Sequence, residues 1–253
     1  MSARLNEIIE FCNSLLTPEK YRDYCPNGLQ IEGKESVSKI VSGVTASQAL
    51  LDAAVERGAD LILVHHGYFW KGESEPVVGM KKRRLQTLLT NDISLLAYHL
   101  PLDGHPELGN NAQLADKLGL QISGGLEVDN PLSIGLTGRL EQPLSAEEFA
   151  RRIGVAMDRD VLHIDGGKPL IETVGWCTGA AQGYIDKAAA LGLDAYISGE
   201  ISEPTVHSAR ELGIHYFAAG HHATERYGVQ ALADKLQRQF GIEHEFVDIN
   251  NPV

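Results

Sequence analysis

Residues 61–67 read Leu61-Ile62-Leu63-Val64-His65-His66-Gly67. Four apolar residues predict a short strand, two imidazoles follow at its exit, and a glycine ends it. Ligands of open α/β sheets gather beyond the carboxyl ends of the strands. A second run, Tyr216-Phe217-Ala218-Ala219, leads through Gly220 to His221-His222. Four of the ten histidines therefore stand as pairs at strand exits. Neutral imidazole is the commonest metal ligand.

Working outward from residues 61–67, the sequence repeats. At a shift of 134 residues, Ala46 falls on Ala180, Gln48 on Gln182, Asp52 on Asp186, Ala54 on Ala188, Gly58 on Gly192 and Asp60 on Asp194. Each copy predicts a strand (40–44 or 174–177), a helix (47–56 or 182–190) closed by glycine, and a second strand (61–64 or 195–198). This is a β-α-β unit with parallel strands. At a shift of 122, His99-x-x-x-Asp103 matches His221-x-x-x-Glu225, each after a predicted strand. The fold class is α/β: two related α/β halves with an internal β-α-β repeat. The Gly/Asn/Pro-rich stretch 123–131 sets the boundary, giving halves 1–125 and 126–253. His65-His66 is matched by Gly199-Glu200, so the chemical site need not be duplicated. One composite metal site between the halves is the simpler expectation. Elsewhere, Asn110 or Asn111 should cap a helix to Leu118. Ile134–Leu140 reads as a strand. Ser145 with Glu148 forms a capping box for a helix to Met157. Phe246–Ile249 reads as a last strand.

The chain has 253 residues, 22 basic and 34 acidic, with 43% hydrophobic residues and a net charge of −12. That composition supports a packed core and makes general polyanion binding unfavourable, so nucleic acid is not the favoured partner. Cys12, Cys25 and Cys177 are odd in number and lack metal-ligand spacing, which points to free thiols in a reducing compartment. The first residues recur at helical spacing rather than forming a signal peptide, and no apolar stretch is long enough to span a membrane. The expectation is a soluble cytoplasmic protein without a membrane partner.

The candidate donors are His65, His66, Asp103, His221 and Glu225. Imidazole and carboxylate without thiolate suit zinc, iron, manganese or nickel. Five ligands exceed what one catalytic zinc takes, and two divalent ions sharing a carboxylate would explain the number. His222 is the rival to His221. His99, nominated by the same mirror, is assigned to proton transfer beside the metal, as is His222. Tyr68-Phe69-Trp70 could stack on a flat ligand, but packing is the favoured reading. The basic run Lys81-Lys82-Arg83-Arg84 reads as a solvated helix face. No phosphate-binding P-loop is present. His105, His163, His207, His215 and His244 read as surface or core histidines.

The stretches Pro26-Asn27-Gly28-Leu29-Gln30, Gly43-Val44-Thr45-Ala46, His65-His66-Gly67 and Gly220-His221-His222-Ala223-Thr224-Glu225-Arg226 together resemble the Nif-three-like proteins, also labelled GTP cyclohydrolase I type 2 homologues. The resemblance covers the full chain, in a short bacterial form without a domain inserted between the halves. It implies a dinuclear site with ligands at His65, His66, Asp103, His221 and Glu225, a toroidal homohexamer, and GTP hydrolysis to a pterin precursor. Two function classes follow. One is a metal-dependent hydrolase acting on a nucleotide or related phosphorylated heterocycle. The other is a non-catalytic metal-handling scaffold, or a ring that engages nucleic acid or protein.

Overall fold

The apolar run before the first histidine pair is a strand, Leu61–His66, whose first five residues are buried. The computed structural model describes residues 1–253. In chain order the elements are β1 (Ala3–Arg4), α1 (Leu5–Leu16), β2 (Gly28–Ile31), β3 (Ser36–Val37), β4 (Lys39–Thr45), α2 (Gln48–Glu56), β5 (Leu61–His66), α3 (Gly79–Thr90), β6 (Ser94–Ala97), α4 (Leu100–Asp103), α5 (Asn110–Leu118) and β7 (Leu120–Gly125). There follow β8 (Leu136–Leu144), α6 (Ala146–Met157), β9 (Leu162–Ile164), β10 (Ile171–Cys177), α7 (Ile185–Ala190), β11 (Ala195–Ser198), α8 (Glu203–Leu212), β12 (His215–Ala218), α9 (His221–Thr224), α10 (Arg226–Phe240) and β13 (Glu243–Phe246). No helix is long and apolar enough to cross a membrane.

The chain divides into two compact units, Met1–Leu108 with Gly228–Asn250, and Gly109–Tyr227 with Asn251–Val253. The first holds a sheet of order β13-β4-β5-β6-β2, parallel except for β2. The second holds β7-β8-β10-β11-β12-β9, in which β10, β11 and β12 pair in parallel and the β7–β8, β8–β10 and β12–β9 pairings are antiparallel. The shared motif is three parallel strands flanked by one antiparallel strand: β4-β5-β6-β2 in one unit, β10-β11-β12-β9 in the other.

Strand alternation sends successive side chains to opposite faces, and both faces are covered. Leu61, Leu63 and Leu96 pack with Leu5 and Ile8 of α1 and Val229 and Leu232 of α10. Ile62, Val64 and Leu95 pack with Leu50 and Leu51 of α2 and Leu85 and Leu88 of α3. In the second unit Ala195, Ile197 and Phe217 meet Leu114 of α5 and Phe149 of α6. Tyr196 and Tyr216 meet Ile185 of α7 and Ala209 of α8. The helices that close the two repeats thus change units: α5 packs in the second and α10 in the first.

The turn chemistry explains the element ends. Ser47 caps α2 by accepting from Leu50 N, and Gly58 and Gly192 take left-handed φ values of 66° and 73° beyond α2 and α7. The Ser145–Glu148 capping box is formed on α6. Three expectations shift. The cap of α5 is Gly109, because Asn111 is occupied elsewhere: its Oδ1 accepts from Thr178 N and its carbonyl from Trp176 Nε1. Strand β8 begins at Leu136. The last strand is Glu243–Phe246 rather than 246–249, in register with 39–42 of β4 and fastened by His244 Nε2 at 2.7 Å from Ser42 Oγ.

Candidate metal centre

In the first unit the histidine pair lies at the end of β5, where β4 also ends with Thr45 opposite His66. His65 is fully buried and donates from Nδ1 to Tyr98 O at 2.9 Å, which makes Nε2 the atom with the lone pair. That Nε2 is 3.5 Å from Asp103 Oδ1. His66 Nδ1 pairs with Thr45 Oγ1 at 3.1 Å. Neighbouring strand residues should face opposite ways, yet the two rings converge to 4.6 Å between centroids as the strand ends. Ligand atoms of His65, His66 and His99 all lie within 4.8 Å of one another. Gly67 follows because a Cβ there would collide with Gln30 Oε1 and Ala97 Cβ.

His99 caps α4, and Asp103 ends that helix, so the i,i+4 spacing puts both on one turn. Asp103 is 6% exposed, not an open turn residue. His99 is oriented by a group the sequence reading did not select, Asp23. His99 Nδ1 donates to Asp23 Oδ1 at 2.7 Å, and Asp23 Oδ2 accepts from Leu100 N and Asn27 Nδ2. Asn27 Oδ1 in turn accepts from His99 N. Burial pushes the Asp23 carboxyl up, but hydrogen bonds from His99, Asn27 and the Tyr24 backbone outweigh it and hold the group at about 2. Cys25 stands in the same cluster, where burial and the Asp23 charge push its thiol up to about 12. With no metal beside it, the group is a neutral thiol at neutral pH rather than a nucleophilic thiolate. The only signal for Asp23 in the sequence is its proximity to Pro26-Asn27-Gly28, which is too weak to single out one residue.

In the second unit His221 opens α9, one residue past Gly220 at φ 96°. Its Nε2 is 3.2 Å from Glu225 Oε2, and its Nδ1 donates to Glu200 Oε1 at 2.7 Å. Burial lowers the proton affinity of His221, but Glu225 and then Glu200 outweigh it and raise the imidazole to about 9. Glu225 is 3% exposed. Glu200 occupies the repeat position of His66, and Tyr216 Oη donates to its carbonyl. The mirror that showed the asymmetry could have found this orienting role. Gly179, at φ 68°, makes room for the pair, since a Cβ there would collide with Glu225 Oε1 and crowd His221 Nε2. His222 is buried, its backbone N donating to Val253 O and its carbonyl accepting from Glu225 N. His221 places its imidazole beside Glu225.

Both donor sets are imidazole and carboxylate with Nδ1 atoms committed to hydrogen bonds. That chemistry fits a borderline divalent metal held through Nε2.

The remaining features pack. Tyr68 is buried and donates from its hydroxyl to Ala46 O, and Trp70 Nε1 donates to Gly67 O with its ring edge-on to His99 at 5.0 Å. Phe69 is partly exposed at φ 64°, with Lys81 Nζ over its ring. Lys81 also pairs with Glu73, and Arg84 lies by the Tyr68 ring. His163 and His215 bond to each other at 3.0 Å. Ser42, His244 and Asp234 form a hydrogen-bonded chain resembling a nucleophile relay. Ser42 has no exposure, so its hydroxyl cannot meet a substrate.

The model of the Duf34/NIF3 (NGG1p interacting factor 3) family matches residues 3–252. The chain is 62% identical over 252 residues to the "GTP cyclohydrolase 1 type 2 homolog" of Pseudomonas aeruginosa, covering 100% of each. It is 53% identical over 247 residues to the Escherichia coli K12 protein of the same name, covering 97% of this chain and 98% of that one. Among solved structures it is similar to protein ybgI, of unknown function, with a TM-score of 0.96, 52% identity, and 99% and 100% of the two chains covered. A Thermus thermophilus protein gives 0.90 at 35% identity over 99% and 100%.

Proposed function

The chain belongs to the Duf34/NIF3 family, and from that premise we propose that it binds two divalent metal ions and is a metal-dependent hydrolase acting on a nucleotide or related phosphorylated heterocycle. The ligands in this reading are His65, His66 and Asp103 from the first unit and His221 and Glu225 from the second. The observation that carries it is the preset tautomer of His65 in the buried set with Asp103, its Nδ1 fixed on Tyr98 O so that Nε2 carries the lone pair. Such preorganisation is a regular accompaniment of metal-ligating histidine. The names of the relatives, GTP cyclohydrolase 1 type 2 homolog, support a nucleotide as the substrate class.

Bound divalent metal would supply Lewis acidity and lower the pKa of water to near neutrality. The chain's own residues hold and move protons. His99, fixed through Nδ1 by Asp23, presents Nε2 to accept and return a proton. Glu200 keeps His221 in one orientation. His222 remains a second proton carrier in the proposal.

Elemental analysis of metal-replete protein should give about two equivalents per chain. A stable single equivalent that survives His221→Ala rules out the two-metal reading. Chelation should abolish turnover of nucleotides, with recovery on adding zinc, manganese or iron. We further propose a closed homohexamer, for which a monomeric mass in light scattering is the contrary result.

A further inference from the structure

We propose that a cavity in the second unit, next to Glu200, is an anion subsite in which Arg159 receives the phosphate group of the ligand. The cavity has a volume of about 600 Å³, within the range of small-molecule sites. Gly199 and Glu200 line it on one side, with apolar surface from Leu162, Ile201 and Ala218. Pro252 and Val253 complete the wall. It therefore adjoins the carboxylate that orients His221, and it offers an apolar surface for a ring together with a cation for an anionic group.

Three charged side chains line the cavity, Arg159, Asp160 and Glu200, and Val253 adds its terminal carboxylate. Glu200 is engaged by His221 Nδ1. Asp160 is exposed, at the rim. Arg159 is the cation, and its ties are to main-chain carbonyls, Nε to Asp160 O at 3.4 Å and Nη2 to Pro252 O at 3.0 Å. No side-chain carboxylate pairs with it, and both of its hydrogen bonds go to main-chain oxygens, from Nε and Nη2. In a chain of net charge −12, an arginine unpaired with acid beside a candidate site is a poor use of charge unless an anion arrives. Its seat is built. The guanidinium lies directly on Gly220, where a Cβ would collide with Nη1 and Cζ. Gly220 immediately precedes His221, so the cation and the candidate metal ligand are placed by one turn of chain.

This subsite deepens the hydrolase reading and rests on it for the identity of the substrate, but it can be tested separately. The probe is inorganic phosphate, titrated calorimetrically into metal-loaded full-length protein at fixed ionic strength. Arg159→Gln should weaken phosphate binding about tenfold, the loss of one forked charge-assisted contact. Asp160→Asn should strengthen it about twofold by removing a repelling carboxylate, an effect that a merely structural role for this edge would not produce. Leu162→Glu adds a negative charge to the wall without touching Arg159 and should weaken binding. Metal content should stay constant in all three. Wild-type protein that does not bind millimolar phosphate, or phosphate affinity indifferent to all three changes, overturns the subsite and leaves the metal reading standing. Phosphate binding that depends on Arg159 in protein that takes up no metal overturns the metal reading and leaves the subsite standing.

Discussion

Lys168 Nζ lies 2.8 Å from Asp194 Oδ1, and the same pair recurs 134 residues earlier as Lys34 and Asp60 at 3.0 Å. The second oxygen of each aspartate accepts backbone N–H groups at the start of the neighbouring strand: Ser38 and Lys39 for Asp60, Glu172 and Thr173 for Asp194. Each carboxylate thus fixes where two parallel strands begin to pair, and hence the register that delivers their far ends to the site.

This clamp gives a pH prediction. Burial pushes the Asp194 carboxyl up, but hydrogen bonds from Lys168, Thr173 and Glu172 outweigh it and hold the group at about 2, below the ordinary aspartate value of 3.8. A depressed folded-state pKa stabilises the fold above the unfolded value and ceases to do so as pH falls from about 4 toward 2. Asp194→Asn should cost about 1–3 kcal/mol at neutral pH, chiefly through the backbone contacts, because the lysine end is solvated. In urea melts the gap from wild type should be flat above pH 5 and narrow in acid. A gap that persists unchanged at pH 3 assigns the loss to packing.

The exchange of closing helices predicts how fragments behave. The core of the first unit includes Val229, Leu232, Ala233 and Leu236 of α10. Residues 1–125 alone lack them and should show no cooperative unfolding, while addition of a 226–250 peptide should restore it. Within the full chain, Leu232→Ala should cost about 2–5 kcal/mol as a fully buried truncation. Cooperative melting of the isolated 1–125 fragment would contradict this view.

The β-α-β grammar was legible because it is local. Continuous apolar runs such as 61–64 mark strands covered on both faces, and Gly58 and Gly192 mark the helix ends. The histidine pairs were legible because a strand exit is also local. Asp23 was not, because it reaches His99 across 76 residues of sequence through a loop with no periodicity. Glu200 stood in the aligned position but had lost the imidazole that would have drawn notice. The helix exchange left no trace in spacing, since α5 and α10 present ordinary amphipathic faces and only the packing decides which partner each covers.

Asp23 yields a test of the proton-transfer role. Asp23→Asn removes the acceptor that fixes His99 Nδ1 but keeps the shape of the side chain. Turnover by metal-loaded protein should fall about 10- to 100-fold, in the range of general acid–base contributions, with metal content retained. His99→Ala should behave likewise. If either variant instead loses a metal equivalent, His99 is a ligand, and its place beside His65 and His66 means coordination rather than proton transfer.

Gly179 allows the metal set to be perturbed without deleting a donor. At φ 68° it occupies a left-handed position, and its missing Cβ leaves the space taken by Glu225 Oε1 and His221 Nε2. Gly179→Ala must therefore move the Glu225 carboxylate, strain the backbone, or both. If Glu225 and His221 hold metal, the variant should bind it about 10- to 100-fold more weakly, the range seen when the surroundings of a ligand rather than the ligand itself are altered. Gly183→Ala is the control: it lies four residues on, has open space at its Cβ, and carries no left-handed φ. It should bind metal as the wild type does. Zinc affinity measured by competition with a chromogenic chelator, together with melting temperature in excess chelator, separates the two effects. Equal metal affinity in Gly179→Ala and wild type would mean that the His221–Glu225 pair serves packing, and the second unit's ligands would have to be sought elsewhere.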